Sequence, residues 1–283
     1  MNKYALFIFS LVFMFSVSST DSSAGALQTK ISPREIYPGD AFIIQVTGGK
    51  TVSPTSASFA QNEFLFSSCG NRCSIAIGAV DISTKPRAHA VTVKMGNRLK
   101  KIKLFVKRKR FPKLNLTLPE EKVSPDAEAL NRIKDEDERL EILFQTVSER
   151  MWDGGFLSPL QHPVSTVFGT KRIMNGTWTS IHRGMDIRGK EGDDVLASNS
   201  GKVVLAEELF FGGNTVIIDH GQGIYTIYMH LSKFNVSTGD TVSKGDLIGF
   251  VGSSGRSTGP HLHFGAKVMG INVNPDSLMK LKL

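Results

Sequence analysis

Between residues 27 and 110 apolar positions come in short runs that alternate with polar ones and are broken by glycine, proline and asparagine. Residues 41–47 (AFIIQVT), 74–77 and 90–94 are rich in β-formers, and in residues 99–106 Ile102 and Leu104 alternate with Lys101 and Lys103. Period-two alternation marks half-buried strands, and Met95-Gly96-Asn97-Arg98 reads as a hairpin turn between two of them. Short strands at this spacing predict a small β-sandwich of immunoglobulin-like type over residues 27–110. Residues 111–152 read as a linker. Its first part, 111–119, is an extended connector, and Ser124-Pro125-Asp126 predicts a helix start with Ser124 as N-cap and Pro125 in the first helical position. Leu130, Ile133, Leu140, Leu143, Phe144 and Val147 then fall on one stripe, opposite a face dense in charge, which predicts an amphipathic helix packed on a domain. Beyond Trp152 the short rhythm returns. Most of the 27 glycines lie between Gly154 and Gly270, interleaved with the apolar runs 202–206, 215–219, 224–229, 247–251 and 262–268. Residues 153–283 are therefore expected to form an all-β domain, and the chain as a whole to be mainly β.

The N-terminus has a different character. Met1-Asn2-Lys3 is positive, residues 4–17 are uncharged and mostly apolar, and a Ser/Thr-rich stretch leads to Ala24-Gly25-Ala26. That order predicts a signal peptide over residues 1–26 and an exported mature chain, periplasmic or extracellular. A spanning helix needs about 20 apolar residues. No later run reaches that, so no transmembrane segment is expected in the mature chain.

Charge is unevenly placed. The net charge is +8, yet residues 98–113 hold nine basic residues and no acidic one, while residues 160–283 hold 12 basic against 10 acidic. Such a run is either a solvated strand edge or an attractive surface for a polyanion. For an exported protein the available polyanions are wall polymers and membrane surfaces, so nucleic acid is not expected as a partner. The two cysteines, Cys69 and Cys73, have no histidine beside them and predict a local disulfide.

Four histidines and an aspartate sit in patterned places: His182 and Asp186 in an H-x-x-x-D, His230 in Tyr228-Met229-His230-Leu231, and His261 with His263 in an H-x-H. In a strand His261 and His263 share one face while Leu262 and Phe264 share the other. Two imidazoles side by side make a poor core, because each needs a polar partner. With no cysteine near them, nitrogen and oxygen ligands plus spare imidazoles describe an open catalytic zinc site. There is no H-E-x-x-H helix. His89 and His162 read as surface or structural residues, and His220 as part of a turn.

Several further motifs stand in order between residues 163 and 278: Phe168-Gly169 with Arg172, Gly213-Asn214, Ile218-Asp219-His220-Gly221, Gly239-Asp240 through Gly249, Ser257 to Phe264, and Val273-Asn274-Pro275. With the histidine motifs they resemble the lysostaphin-type (LytM-domain) peptidoglycan endopeptidases. The resemblance implies an antiparallel β-sheet peptidase domain with one Zn²⁺ per chain, held by His182, Asp186 and His263. It implies His230 and His261 as non-ligand catalytic histidines, and peptide cross-links of peptidoglycan as substrate. One departure is the lack of a tyrosine in residues 175–181, which some members carry. Relatives that have lost zinc ligands act as wall-binding or amidase-activating modules. Here all five residues are present, so hydrolysis is expected.

Overall fold

The structure is a computed structural model describing residues 27–48, 54–117 and 120–283. The leader read at 1–26 lies outside the described residues. The first half is two facing sheets. One runs in the order Gln28–Ser32, Ala41–Thr47, Cys73–Ala79, Ser67–Ser68, and the other Glu35–Ile36, Arg98–Val106, Arg87–Met95, Ser56–Phe59, Asn62–Leu65. Phe42 of the first sheet meets Phe59 and Phe64 of the second edge-on, each with ring centroids 6.1 Å apart, and these rings close the core between the sheets. Gly96 and Asn97 turn the chain between Arg87–Met95 and Arg98–Val106, as the alternation predicts. Cys69 and Cys73 are joined in a disulfide at the turn into Cys73–Ala79.

The second half is a ten-stranded antiparallel sheet. Its main path is Val164–Thr166, Gly184–Arg188, His261–Val268, Ile224–Phe234, Gly213–Asp219, Gly201–Leu209, Thr241–Val242. The pleat sorts side chains by chemistry. Met185, Ile187, Val216, Ile218, Tyr228, Leu262 and Phe264 fill an apolar core on one face. Asp186 and His263 are directly opposed across neighbouring strands, with Arg188 and His261 the next pair on the same face.

The linker differs from a free connector. Lys113–Leu116 pairs in parallel with Lys171–Met174, which pairs in turn with Trp178–Ile181. After the short helix Glu120–Val123 comes the long helix Ala127–Gln145, whose N-cap is Asp126 and not Ser124. The Asp126 carboxylate accepts from the Ala129 amide at 2.9 Å, while the Ser124 amide and hydroxyl are already spent on Glu120 of the preceding turn. The apolar stripe is also shorter than predicted. Leu140, Leu143 and Phe144 pack on Leu205, Leu209, Ile217, Tyr225 and Ile227. Leu130 is 54% exposed, and Val147 falls beyond the helix end and is exposed too. The N-terminal half of the helix meets the sheet through polar groups, Arg132 Nη2 donating to Glu208 O at 3.1 Å. Glu136 is anchored there: its carboxylate accepts from the Phe210 amide at 2.9 and 3.2 Å and from Arg132 Nε at 2.7 Å.

The two halves share one apolar core. Trp152, Phe156, Ile224, Val268, Ile271, Val273 and Leu281 belong to the same buried cluster as the sandwich interior. The Asn274 amide donates to Gly39 O at 2.7 Å, the Ala41 amide to Ser277 Oγ at 2.9 Å, and Arg150 to Ser68 O at 2.8 Å.

Candidate active site

Three donor atoms meet on the polar face of the sheet. His182 Nε2, Asp186 Oδ1 and His263 Nδ1 lie 2.9 Å from one another. His182 Nδ1 is 3.1 Å from Val167 O. A carbonyl can only accept, so the proton sits on Nδ1 and Nε2 offers a lone pair. Burial alone would raise the Asp186 pKa, and only where His182 and His263 carry protons to donate do their contacts outweigh it and hold the carboxyl well below the usual range. Its Oδ2 accepts from Arg172 Nη2 at 2.5 Å, which leaves Oδ1 to the triangle. Burial pushes His263 down to about 4, so it is neutral at neutral pH. The triangle thus gathers lone pairs with too few protons to link them, and a cation is what satisfies all three. Two imidazole nitrogens and a carboxylate oxygen are a donor set that would hold zinc. The packing is close: a side chain on Gly184 would lie 2.7 Å from His263 Nε2 and 2.5 Å from Phe264 O.

His230 and His261 flank this triangle. His230 has a left-handed backbone (φ 67°) at the bulge where the pairing of Ile224–Phe234 with Gly213–Asp219 shifts register. Strain of this kind persists where surrounding structure fixes it. The fixing partner is Ser254, whose carbonyl accepts from His230 Nδ1 at 2.8 Å and whose Oγ accepts from the Asn214 amide at 2.9 Å. Gly213 and Gly255 let these loops touch, since a Cβ on Gly255 would lie 2.2 Å from Gly213 N. His261 Nδ1 likewise donates to Gly259 O at 2.8 Å, and its Nε2 is 3.7 Å from Asp186 Oδ1. In both rings Nδ1 is tied to the backbone and Nε2 is left free. Burial first, then repulsion from His263 and His261, pushes His230 down to about 3. It is therefore a neutral ring with an Nε2 lone pair at neutral pH.

The groove before these groups is walled by Arg188, Arg256 and Pro260, and by Leu114 and Leu116 from the linker strand. Sequence reasoning missed the leucines and Arg256, whose guanidinium stacks over Phe211 at 3.9 Å. The signal for the leucines was there: Lys113-Leu114-Asn115-Leu116 alternates like a strand. The other histidines lie elsewhere. His220 is fully buried with Nδ1 2.8 Å from Ser200 O and Nε2 2.7 Å from Thr226 Oγ1, and burial pushes it down to about 4. His89 Nε2 is 2.8 Å from Lys85 O, and His162 is 3.4 Å from Asp193.

Comparison with known proteins places this arrangement. Residues 180–275 match the sequence model of peptidase family M23. The DD-carboxypeptidase/endopeptidase Mpg of Neisseria meningitidis serogroup B is 43% identical over 129 residues, 44% of this chain and 29% of the relative. The peptidoglycan DD-endopeptidase ShyA of Vibrio cholerae is 42% identical over 113 residues, 40% of this chain and 24% of the relative. The chain thus spans under a third of the length of these curated relatives. A solved structure of a Pseudomonas aeruginosa protein assigned to peptidase M23 aligns with a TM-score of 0.67 at 28% identity, covering 86% of this chain and 94% of that one. Residues 180–275 of this chain are a domain of peptidase family M23.

Proposed function

We propose that the protein is a zinc-dependent endopeptidase that hydrolyses peptide cross-links of bacterial peptidoglycan. The observation that carries this reading is the convergence of His182 Nε2, Asp186 Oδ1 and His263 Nδ1 on one point with two further imidazoles alongside. The names of the relatives, a DD-carboxypeptidase/endopeptidase and a peptidoglycan DD-endopeptidase, support the substrate. Zinc bound by the triangle supplies Lewis acidity, polarising the scissile carbonyl and acidifying water. Arg172 keeps the Asp186 carboxylate oriented. His230 and His261 each keep the Nδ1 proton on a backbone carbonyl and present an Nε2 lone pair; one of them accepts the proton of the attacking water there, and the Nε2–H so formed can steady the oxyanion or pass that proton to the leaving amine. In this reading residues 27–110 are an accessory sandwich, 111–152 a linker and 153–283 the catalytic domain, delivered outside the cytoplasm by the leader at 1–26.

The basic strand region serves as an anchor to anionic wall polymer. Lys107 already pairs with Glu35, and Lys109 lies over the Tyr37 and Phe111 rings at 5.5 and 5.3 Å. Lys100, Lys101, Lys103, Arg108 and Arg110 carry the remaining attraction, which salt screens beyond ~8 Å at physiological strength.

The test is incubation of purified protein with defined cross-linked muropeptides, followed by mass spectrometry. Cleavage of the cross-link that stops with chelator and returns with zinc is the expected result. Intact muropeptides after incubation with zinc-loaded protein would overturn the reading.

A further inference from the structure

The metal-ligand triangle stands between two cavities. One is the groove already described, with Asp186, His230 and His261 in its wall. The other opens on the His263 side, between the long helix and the polar face of the sheet. Asp137, Glu141 and Phe144 line it from the helix, His263 and Lys267 from the sheet, and Arg183 from the loop before Gly184–Arg188. The helix is fixed where it forms this wall. Glu136 holds the Phe210 amide, the Tyr225 hydroxyl donates to Thr146 O at 2.6 Å, and the Phe144 ring meets Tyr225 edge-on at 5.2 Å. Residues between the sandwich and the peptidase sheet therefore wall the site on both sides of the triangle: Leu114 and Leu116 on one, the helix on the other.

The second cavity is charged in an unusual way. Among the described residues Lys267 Nζ donates to Gly270 O at 3.3 Å and lies over the apolar Phe144 ring at 4.7 Å, and burial, helped by repulsion from Arg183, pushes it down to about 8. Asp137 and Glu141 stand at the exposed rim of the cavity; partial burial pushes the Asp137 carboxyl up, with Glu136 adding to the shift and Arg183 opposing it. Among the described residues, neither Arg183 and Lys267 nor Asp137 and Glu141 of the helix close into an ion pair with one another. A purely anionic ligand would meet the two acids here, and a purely cationic one Arg183 and Lys267. A group bearing both signs satisfies both walls.

We propose that this cavity is a substrate subsite for a zwitterionic amino-acid centre, with its carboxylate held by Arg183 and Lys267 and its ammonium by Asp137 and Glu141. The proposal rests on the peptidase reading and adds a substrate requirement: the residue beside the cut bond keeps a free ammonium and a free carboxylate.

The experiment uses one synthetic branched peptide in three forms: free, carboxyl-amidated and amine-acetylated. Binding is measured by calorimetry on the full chain after chelation, when no turnover occurs, and cleavage on the zinc-loaded protein. The free form should bind about ten-fold or more tightly than either blocked form, the scale of one lost charge-assisted contact. Lys267→Met should lose the preference over the amide but keep that over the acetyl form. The pair Asp137→Asn with Glu141→Gln should do the reverse. Equal affinity for the three forms in the unaltered protein would overturn the subsite. A preserved binding preference with no cleavage of any form would overturn the peptidase reading and leave the subsite standing.

Discussion

Replacing Glu136 by alanine tests how the long helix is held against the peptidase sheet. Its carboxylate is 9% exposed and receives the Phe210 amide at both oxygens. A hydrogen bond to a charged group contributes about 1.5–3 kcal/mol. The Arg132 partner is half exposed, so that ion pair adds only about 0.3–0.5 kcal/mol. Alanine returns a few tenths through its better helix propensity. The net loss is then about 2 kcal/mol. At roughly 2–4 °C per kcal/mol for a chain of this size, the melting temperature should fall by about 4–8 °C. Circular dichroism gives the melt, and hydrogen exchange of the amides in Ala127–Gln145 distinguishes global loss from local undocking of the helix. A melt within about 1 °C of the unaltered protein, together with unchanged exchange in the helix, would refute the anchoring role.

His182→Ala should abolish both metal content and cleavage. His230→Ala and His261→Ala should keep the metal and lose ~10²–10⁴-fold in turnover, and metal analysis beside rates separates the two classes. Loss of zinc from His261→Ala would make that residue a ligand. Thiol titration of unfolded, unreduced protein should find no free thiol. Removing the Cys69–Cys73 bond should cost about 2 kcal/mol, the scale for so short a loop, with no change in cleavage rate. His220 titrates near 4 in the fold and near 6.5 unfolded, so the unfolded chain takes the proton first. Its stabilisation is whole above pH ~6.5 and is lost as pH falls towards 4, by no more than about 3 kcal/mol. Denaturant melts from pH 7 to 4 should show this slope, and His220→Gln should remove the share of this residue while leaving those of His230 and His263, which are depressed in the same direction.

The sandwich and the peptidase sheet were legible because alternation decides which face of a strand is buried. Leu262 and Phe264 are fully buried while His261 and His263 turn to the polar face, as the H-x-H spacing dictates. The linker was not legible for an equally physical reason. Lys113–Leu116 alternates as a strand does, but its partner is Lys171–Met174, and no local pattern announces a pairing that distant. The helix start was misjudged by two residues because Ser124 and Asp126 both suit an N-cap, and the hydrogen bonds of Ser124 go to Glu120. Leu130 obeys helical spacing, yet at that end the helix meets the sheet through polar groups.

The continuous core that runs from Phe42 through Val268 to Leu281 removes any slack between the sandwich and the catalytic sheet. A surface gripped by the basic strand edge would fix not only where the enzyme stands but the height and tilt of its cleft above that surface. Under the proposed anchoring and cleavage, reach becomes a geometric filter: cross-links at that height and angle are cut, and others within diffusing distance are spared. Loosening the joint, for instance by polar substitutions at Ile271 and Leu281, should widen the set of bonds cut on an intact wall while leaving rates on small soluble peptides unchanged.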